Sequence, residues 1–428
     1  MQDVYYREHE VVACAIASLY NVTDELLFKN YLMLEKFFLN TVEGGDLQHF
    51  KSLFDLGRIR EAKNKRTPNI LMGVFAFSFG GGEVFPIRLA NVIKEKGGSV
   101  IILNGNFEPT HPRVRGMIHP QIPVIHYDPM MNLDQVAKEY GIEITHSHHA
   151  SMDRMLSVYI NSKHVTTMHG MYEMMEDFLN NTREFIGQID HWFYTAEKNV
   201  APFRKYKIYS DEKFTKMDNG MRIPEIHQAD LGQYGINENS FTICLATRAL
   251  FDKGWFEAIE SVTLARNSTG RDIHLLLIGE GPVYDKLKNT TLPDYIHLLG
   301  FKSNLVDFFA ASQIGYLPSY FKGESFPLVM IECFMAEKPI IASKIGEIPD
   351  MITTADDRIG GALVNLYRGK VRAGDLASAL VKMIDDEGYY QECADAVRVL
   401  KNKFDLDAIA EKYLAVYRDL CIRGDSES

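Results

Sequence analysis

The sequence predicts an α/β protein of two doubly wound sheets behind an N-terminal helical extension, and three observations carry that expectation. With 428 residues the chain exceeds what one hydrophobic core usually serves, so two domains are expected. Short apolar runs alternate with helix-patterned stretches in two blocks, residues 70–195 and 241–364, as strands feeding crossover helices do. Between the blocks, from Asn219-Gly220 to Ser240, the chain is rich in Gly, Asn and Gln, the composition of a mobile linker.

Composition narrows the function classes. The chain is 46% hydrophobic and 24% charged, as in an ordinary globular protein, and its net charge of −11 argues against bulk attraction to nucleic acid. Cys14, Cys244, Cys333, Cys393 and Cys421 are scattered with no C-x-x-C pair. An odd, dispersed set without a signal-peptide pattern predicts a reducing, cytoplasmic location and neither a disulfide framework nor a zinc site. No apolar run reaches the roughly 18 residues that span a bilayer, so any membrane contact is expected to be peripheral.

Residues 1–66 read as helical, with Leu26, Leu27, Tyr31, Leu34, Phe37 and Phe38 at helix spacing and a charged run closing the segment. This extension is either a packing element or a surface for acceptor, partner or membrane. From Asn69 the period changes: residues 70–77 form a near-continuous apolar run, expected as a buried parallel strand, which enters Gly80, Gly81 and Gly82 and then a helix to about residue 96. A glycine triplet in such a turn permits close backbone approach to a phosphate, although many strand-to-helix turns carry glycines. Further strands are expected at 100–103, 124–126, 142–146, 165–168 and 192–195, with helices at 134–140 and 151–161. His146, His148 and His149 lie at a strand end with no Cys or carboxylate cluster beside them, so metal ligation is not expected. His169 ends the next strand, at the edge where doubly wound sheets place ligands; a hydrogen-bonded structural histidine is the alternative.

The second block opens with a strand at 241–247 that delivers Arg248 at its end, with Lys253 following just before a helix. Two cations there suit a pyrophosphate, Arg through planar two-point bonding and Lys as a point charge, unless they are plain surface residues. Strands at 273–278, 296–299 and 314–317 follow, the first ending in Gly279-Glu280-Gly281-Pro282 and the second in Gly300-Phe301-Lys302. Next come a loop with Glu324, an apolar helix at 328–335 stopped by Pro339, and a strand at 340–342. Glu324 is expected at the helix entry, where backbone N–H groups point outward, and Glu332 two turns further on. Two carboxylates so placed suit a polyhydroxylated ligand; on those residues alone, one solvated and one salt-bridged Glu is the alternative. Helices at 375–386, 389–403 and 405–421 close the chain.

The run Pro318-Ser319, Glu324, Phe326-Pro327, Glu332, then Lys338-Pro339-Ile340-Ile341-Ala342-Ser343 and Gly346-Glu347-Ile348-Pro349-Asp350, resembles the signature of the retaining GT-B glycosyltransferases of family 4. Where many members carry Gly-Gly-x-Pro-Glu, this chain has Gly346-Glu347-Ile348-Pro349-Asp350. The resemblance, over roughly residues 68–422, implies the GT-B fold of two Rossmann-like domains facing across a cleft. Residues 67–225 would form the acceptor side, 240–402 would bind the nucleotide sugar, and 403–428 would cross back as a helix through Phe404, Tyr413 and Tyr417. It implies catalytic roles for Glu324, His169, Arg248 and Lys253: Glu324 and His169 near the donor sugar, Arg248 and Lys253 on the diphosphate. It further implies a donor site of Glu332 on the ribose, Ser325, Phe326 and Pro327 around Glu324, Phe301 and Lys302 near the base, and Gly80, Gly81 and Gly82 facing the phosphates.

The activity implied is transfer of a hexose-type sugar from a nucleotide diphosphate sugar, UDP-sugars favoured, to a hydroxyl of a saccharide, lipid-linked or protein acceptor, in polysaccharide or glycoconjugate assembly. No metal and no cofactor other than the donor substrate is implied. A non-hydrolysing nucleotide-sugar epimerase and an inactive sugar-nucleotide-binding subunit are the alternatives. Arg248, Lys253, Glu324 and Glu332 together favour transfer.

Overall fold

The computed structural model of the chain describes residues 67–77, 81–105, 112–127, 132–170 and 186–427, so the helical extension expected over 1–66, and Gly80, lie outside the described residues. The chain divides into two compact units, one holding residues up to Tyr194 with Asn199–Met217 and Asp407–Ser428, the other Thr195–Lys198 and Asp218–Leu406.

The first unit contains, in chain order, β1 (Asn69–Val74), α1 (Gly81–Glu95), β2 (Ser99–Asn104), α2 (Pro112–Arg115), β3 (Val124–His126), α3 (Leu133–Glu139), β4 (Ile144–Ser147), α4 (Ala150–Tyr159), β5 (Lys163–Met168), β6 (His191–Tyr194), α5 (Glu197–Lys205, whose first two residues group with the second unit) and β7 (Phe214–Lys216). The strands pair in parallel in the order β3-β2-β1-β4-β5-β6-β7. β1 is buried throughout, which a parallel strand covered on both faces requires and which explains its continuous apolar run. The strand order reverses beside β1, where β2 lies on one side and β4 on the other, and such a reversal is where open α/β sheets hold ligands. The sequence reading did not include α5, interrupted by Pro202, or β7, whose three residues are too few to show a period.

The second unit continues with β8 (Phe241–Ala246), α6 (Trp255–Thr269), β9 (Ile273–Ile278), α7 (Pro282–Lys288), β10 (Ile296–Gly300), α8 (Leu305–Ala311), β11 (Ile314–Leu317), α9 (Leu328–Met335), β12 (Ile340–Ser343), α10 (Ile348–Ile352), β13 (Gly361–Val364), α11 (Ala373–Asp385) and α12 (Glu387–Lys403). Its parallel order is β10-β9-β8-β11-β12-β13, again with the first strand of the block at the reversal. The last helix, α13 (Leu406–Glu427), sets Tyr413 and Tyr417 fully buried in the first unit, with the Tyr413 ring edge-on to Phe193 at 4.5 Å. No helix among the described residues is long and apolar enough to cross a membrane.

Two expectations are corrected here. Pro339 does not stop α9: the helix closes at Met335, followed by Glu337 in the left-handed region at φ 57°, and Pro339 already leads into β12. The segment before Ser240 is not a free linker, because it is laid onto the second unit. Met221 N–H donates to the Phe404 carbonyl at 3.1 Å, the His227 and Ala229 amides donate to Asp307, and Ile236 is buried. Apolar residues between the polar ones supply that anchoring, and the glycine-rich composition hides them.

Candidate functional site

In the second unit the site forms at the C-terminal edge of the sheet, where β8 and β11 are neighbours. After β8 the chain makes a tight turn over Phe251–Lys253 into Gly254, whose φ is 77°. A Cβ on Gly254 would lie 2.2 Å from the Pro318 carbonyl oxygen, so glycine lets this turn press against the loop that follows β11. Lys253 is thereby brought to Glu324: its Nζ donates to Glu324 Oε2 at 2.6 Å, with both side chains 9% exposed. Ser319 Oγ donates to the same oxygen at 2.7 Å, and the Lys253 ammonium stands 4.7 Å over the Phe321 ring. Two residues to which the resemblance gives separate tasks are thus one buried ion pair. Hydrogen bonds of this quality are what offset the desolvation of such a pair.

Glu324 lies ahead of α9 rather than on it, so helical spacing does not relate it to Glu332, which is half-buried inside the helix. Gly346, at φ 57°, has room for no Cβ, which would lie 2.5 Å from the Glu324 carbonyl oxygen. That approach lets Glu347 N–H donate to the Ser325 carbonyl at 3.0 Å. The turn Thr195–Lys198, which groups with this unit, adds two contacts that the sequence reading missed. Glu197 N–H donates to Glu347 Oε1 at 2.7 Å, and Lys198 Nζ donates to the Glu324 carbonyl. Burial, and Lys253 nearby, hold the Lys198 ammonium below the ordinary lysine range against the pull of Glu324 and Glu347. The replacement of a motif glycine by Glu347 was the visible signal for this extra contact.

The remaining expected residues are placed less uniformly. Arg248 is exposed at the end of β8 and takes no part in the Lys253–Glu324 pair. Ser325, Phe326 and Pro327 are buried; the Phe326 ring packs edge-on to Phe404 at 6.0 Å, inside the unit's core. Phe301 is half-buried beyond Gly300, and the Lys302 ammonium lies over the rings of Phe308 and Tyr234 at 5.7 and 6.0 Å.

The first unit's site is built from imidazoles. His146 is fully buried, with Nε2 2.8 Å from Thr167 Oγ1 and Nδ1 2.6 Å from the Tyr417 hydroxyl. His148 lies against it with ring centroids 4.0 Å apart, and His148 Nδ1 is 2.9 Å from His169 Nε2. His164 joins Thr145 and Ser147, while His149 caps α4 through Ser151 and stacks on Phe75. Burial, reinforced by the neighbouring histidines, holds His146 and His148 well below the usual imidazole range; burial brings His164 and His169 down to about 3. These rings are neutral at any physiological pH. Gly81 and Gly82 open α1, and a Cβ on Gly82 would stand 3.8 Å from His169 Cβ, so the glycine turn and His169 share one place. Among the described residues no group of three or more His, Cys, Asp or Glu is arranged to hold a metal ion.

Residues 227–399 match the family model described as glycosyl transferases group 1. N-acetyl-alpha-D-glucosaminyl L-malate synthase of Bacillus anthracis is 23% identical over 389 residues, 81% of this chain and 96% of its own length. An uncharacterized glycosyltransferase of Methanocaldococcus jannaschii is 22% identical over 298 residues, 67% of this chain and 78% of its own. The crystal structure of Anabaena HepE in complex with UDP superposes with a TM-score of 0.68 at 16% identity, covering 82% of this chain and all of that one. A glycosyltransferase from Rickettsia africae gives 0.67 at 19% identity over 82% of this chain and 98% of its own. At these identities the structural likeness shows the fold.

Proposed function

We propose that the protein, whose residues 227–399 match the glycosyl transferases group 1 model, is a retaining, metal-independent glycosyltransferase. It moves a hexose-type sugar from a nucleotide diphosphate sugar, UDP-sugars by preference, to a hydroxyl of a saccharide, lipid-linked or protein acceptor. The observation that carries this reading is the buried Lys253–Glu324 pair beside the exposed Arg248, at the C-terminal edge of the second unit's sheet. Buried ion pairs seldom stabilise a fold more than apolar residues would, so a pair kept at a ligand-binding edge points to chemistry. The nucleotide preference is supported by Anabaena HepE, whose structures contain UDP and UDP-glucose.

In this mechanism Arg248 and Lys253 meet the diphosphate, which gains negative charge as the glycosidic bond breaks. Preorganised donors of this kind contribute on the order of 2.7 to 4 kcal/mol each to lowering a barrier. Both internal bonds to the Glu324 carboxylate end on Oε2, so Oε1 is the oxygen offered to a sugar hydroxyl. Glu332 serves the ribose, and Phe301 and Lys302 hold the base through their backbone. The acceptor attacks on the face the diphosphate leaves, assisted by the departing phosphate, and the anomeric configuration is kept. The test is to incubate the full chain with a panel of nucleotide sugars in excess chelator and measure free diphosphate with and without candidate acceptors. Release coupled to a glycosylated product of retained configuration is expected. An epimerised donor, binding without release, or rescue only by a divalent ion overturns the reading.

A further inference from the structure

A lysine ammonium carries three N–H groups on a flexible stem, so the neighbours that hold it decide which way its remaining hydrogens point. Lys253 Nζ donates to Glu324 Oε2 at 2.6 Å, and among the described residues no second acceptor bonds this ammonium. Its other near neighbour is the half-buried Phe321, over whose ring it stands at 4.7 Å. An aromatic face attracts a cation without neutralising it. A second carboxylate in that place would hold the ammonium as well, but would oppose any anion brought to it.

The ring is held by the same loop that holds the carboxylate. Phe321 opens a tight turn, closed by the Glu324 N–H donating to the Phe321 carbonyl at 2.9 Å. The Phe321 N–H donates to Ser319 Oγ at 3.4 Å, and that hydroxyl donates in turn to Glu324 Oε2 at 2.7 Å. Inside the turn, a Cβ on Gly323 would lie 2.4 Å from Phe321 Cζ, so glycine makes room for the ring. The neighbouring aromatic is engaged elsewhere: the Tyr320 hydroxyl donates to the Phe251 carbonyl at 2.9 Å and lies 3.2 Å from Glu257. Of the two adjacent rings, the one without a polar group is the one that meets the cation.

We infer that Phe321 is a positioning residue for the transfer reaction: its ring face and the Glu324 carboxylate together keep the Lys253 ammonium in the rotamer that presents a free N–H to the departing diphosphate. The inference rests on the transferase reading for what Lys253 meets. The ring acts through Lys253 and has no role on the sugar. Its hold is strong because the ion pair beside it is only 9% exposed, so water competes little for the cation.

Replacing Phe321 in the full chain by phenylalanines with successive ring fluorines drains charge from the ring face at nearly constant volume. The logarithm of turnover should fall stepwise along that series while the melting temperature holds. A flat series overturns the proposal, since a ring that only fills space is indifferent to its electrons. Phe321→Leu should lose roughly 10- to 30-fold in turnover, the size of a desolvated cation–π contact, and Phe321→Tyr should recover most of it. Calorimetric titration with UDP supplies the coupling: Phe321→Leu should weaken UDP several-fold in the parent and not at all in Lys253→Met. Equal weakening in both backgrounds would place the ring on the ligand itself and overturn the positioning role. Without any ligand, the ring should shift the Lys253 ε-methylene protons upfield, and Phe321→Leu should abolish that shift. An unshifted signal in the parent overturns the contact. A parent chain that transfers no sugar defeats the transferase reading, whereas the ring-current shift and the UDP cycle decide on Phe321 independently of turnover.

Discussion

Among the described residues, the C-terminal edge of the second unit's sheet holds a buried ion pair, whereas the ends of β4 and β5 in the first unit hold imidazoles, with one buried carboxylate, Asp153, accepting from the Ser147 and Thr166 hydroxyls. Lys253 and Glu324 stay paired in the interior with Arg248 exposed on the same loop as Lys253, while His146, His148 and the half-buried His169 lie at or just beyond the ends of β4 and β5, and His164 at the start of β5, as neutral rings. The difference follows from what each side can offer. Cations are suited to a leaving group whose charge grows, and an Arg or Lys can be kept for it where a carboxylate balances the site. Neutral rings locked by hydroxyls and a thioether offer direction without charge, which is what discriminates one hydroxyl from another.

Acid separates the two units most strongly. These four histidines have folded pKa values below the usual 6.5, so the unfolded chain takes up protons first as pH falls. Stability is therefore complete above about 6.5 and is lost as pH falls from there toward about 3, each ring contributing about 1.4 kcal/mol per pH unit. Together they should steepen the first unit's acid limb by about 5 kcal/mol per pH unit. Hydrogen exchange read peptide by peptide at pH 5 should show the first unit losing protection before the second. Simultaneous loss in both units would contradict the neutral-cluster picture.

Next in size is the ion pair. Lys253→Ala leaves the Glu324 carboxylate buried without its partner and should cost about 3 to 5 kcal/mol of stability in addition to turnover. Lys253→Met combined with Glu324→Gln should restore most of that stability and none of the turnover. Denaturant melts beside diphosphate release decide it: a single variant as stable as the parent means that the pair is not truly desolvated.

The contrast also explains what was legible. Strands buried on both faces announce themselves, and β9 and β11 match the sequence reading residue for residue, as does helix α9. Arg248, Lys253, Glu324 and Glu332 were visible as residue types at spaced positions. That Lys253 and Glu324 form one pair was not, because the contact joins positions 71 apart through Gly254, whose need for close approach shows only in three dimensions. The contacts of His148 with Met72 and His169 were hidden for the same reason: they join the middle of β1 to the residues that follow β4 and β5, and a methionine in an apolar strand reads as core.

A smaller effect tests the first unit alone. Tyr417→Phe removes the hydroxyl facing His146 Nδ1 and leaves a buried ring nitrogen unmet, which should cost about 1 to 3 kcal/mol. Because Tyr417 belongs to the first unit, the loss should appear in that unit's hydrogen exchange and leave the second unit's protection as it was. Uniform loss across both would mean that the units do not unfold separately.

The smallest structural effect is the sharpest functional one. Arg248 is exposed and outside the Lys253–Glu324 pair, so nothing in the fold depends on its charge. Arg248→Ala should change stability by no more than about 0.5 kcal/mol, as surface substitutions do. If Arg248 meets the leaving diphosphate, turnover should nevertheless fall by roughly 100- to 1000-fold, the loss expected for one donor that acts on developing charge. Arg248→Lys should recover only part of this, because an ammonium keeps the charge but not the planar two-point geometry. The comparison with Lys253→Ala is then direct: one cation is tied into the fold and its removal damages both stability and rate, while the other is free and its removal damages rate alone. An Arg248→Ala variant that keeps near-parental turnover would take Arg248 out of the mechanism and leave Lys253 as the cation on which departure of the diphosphate depends.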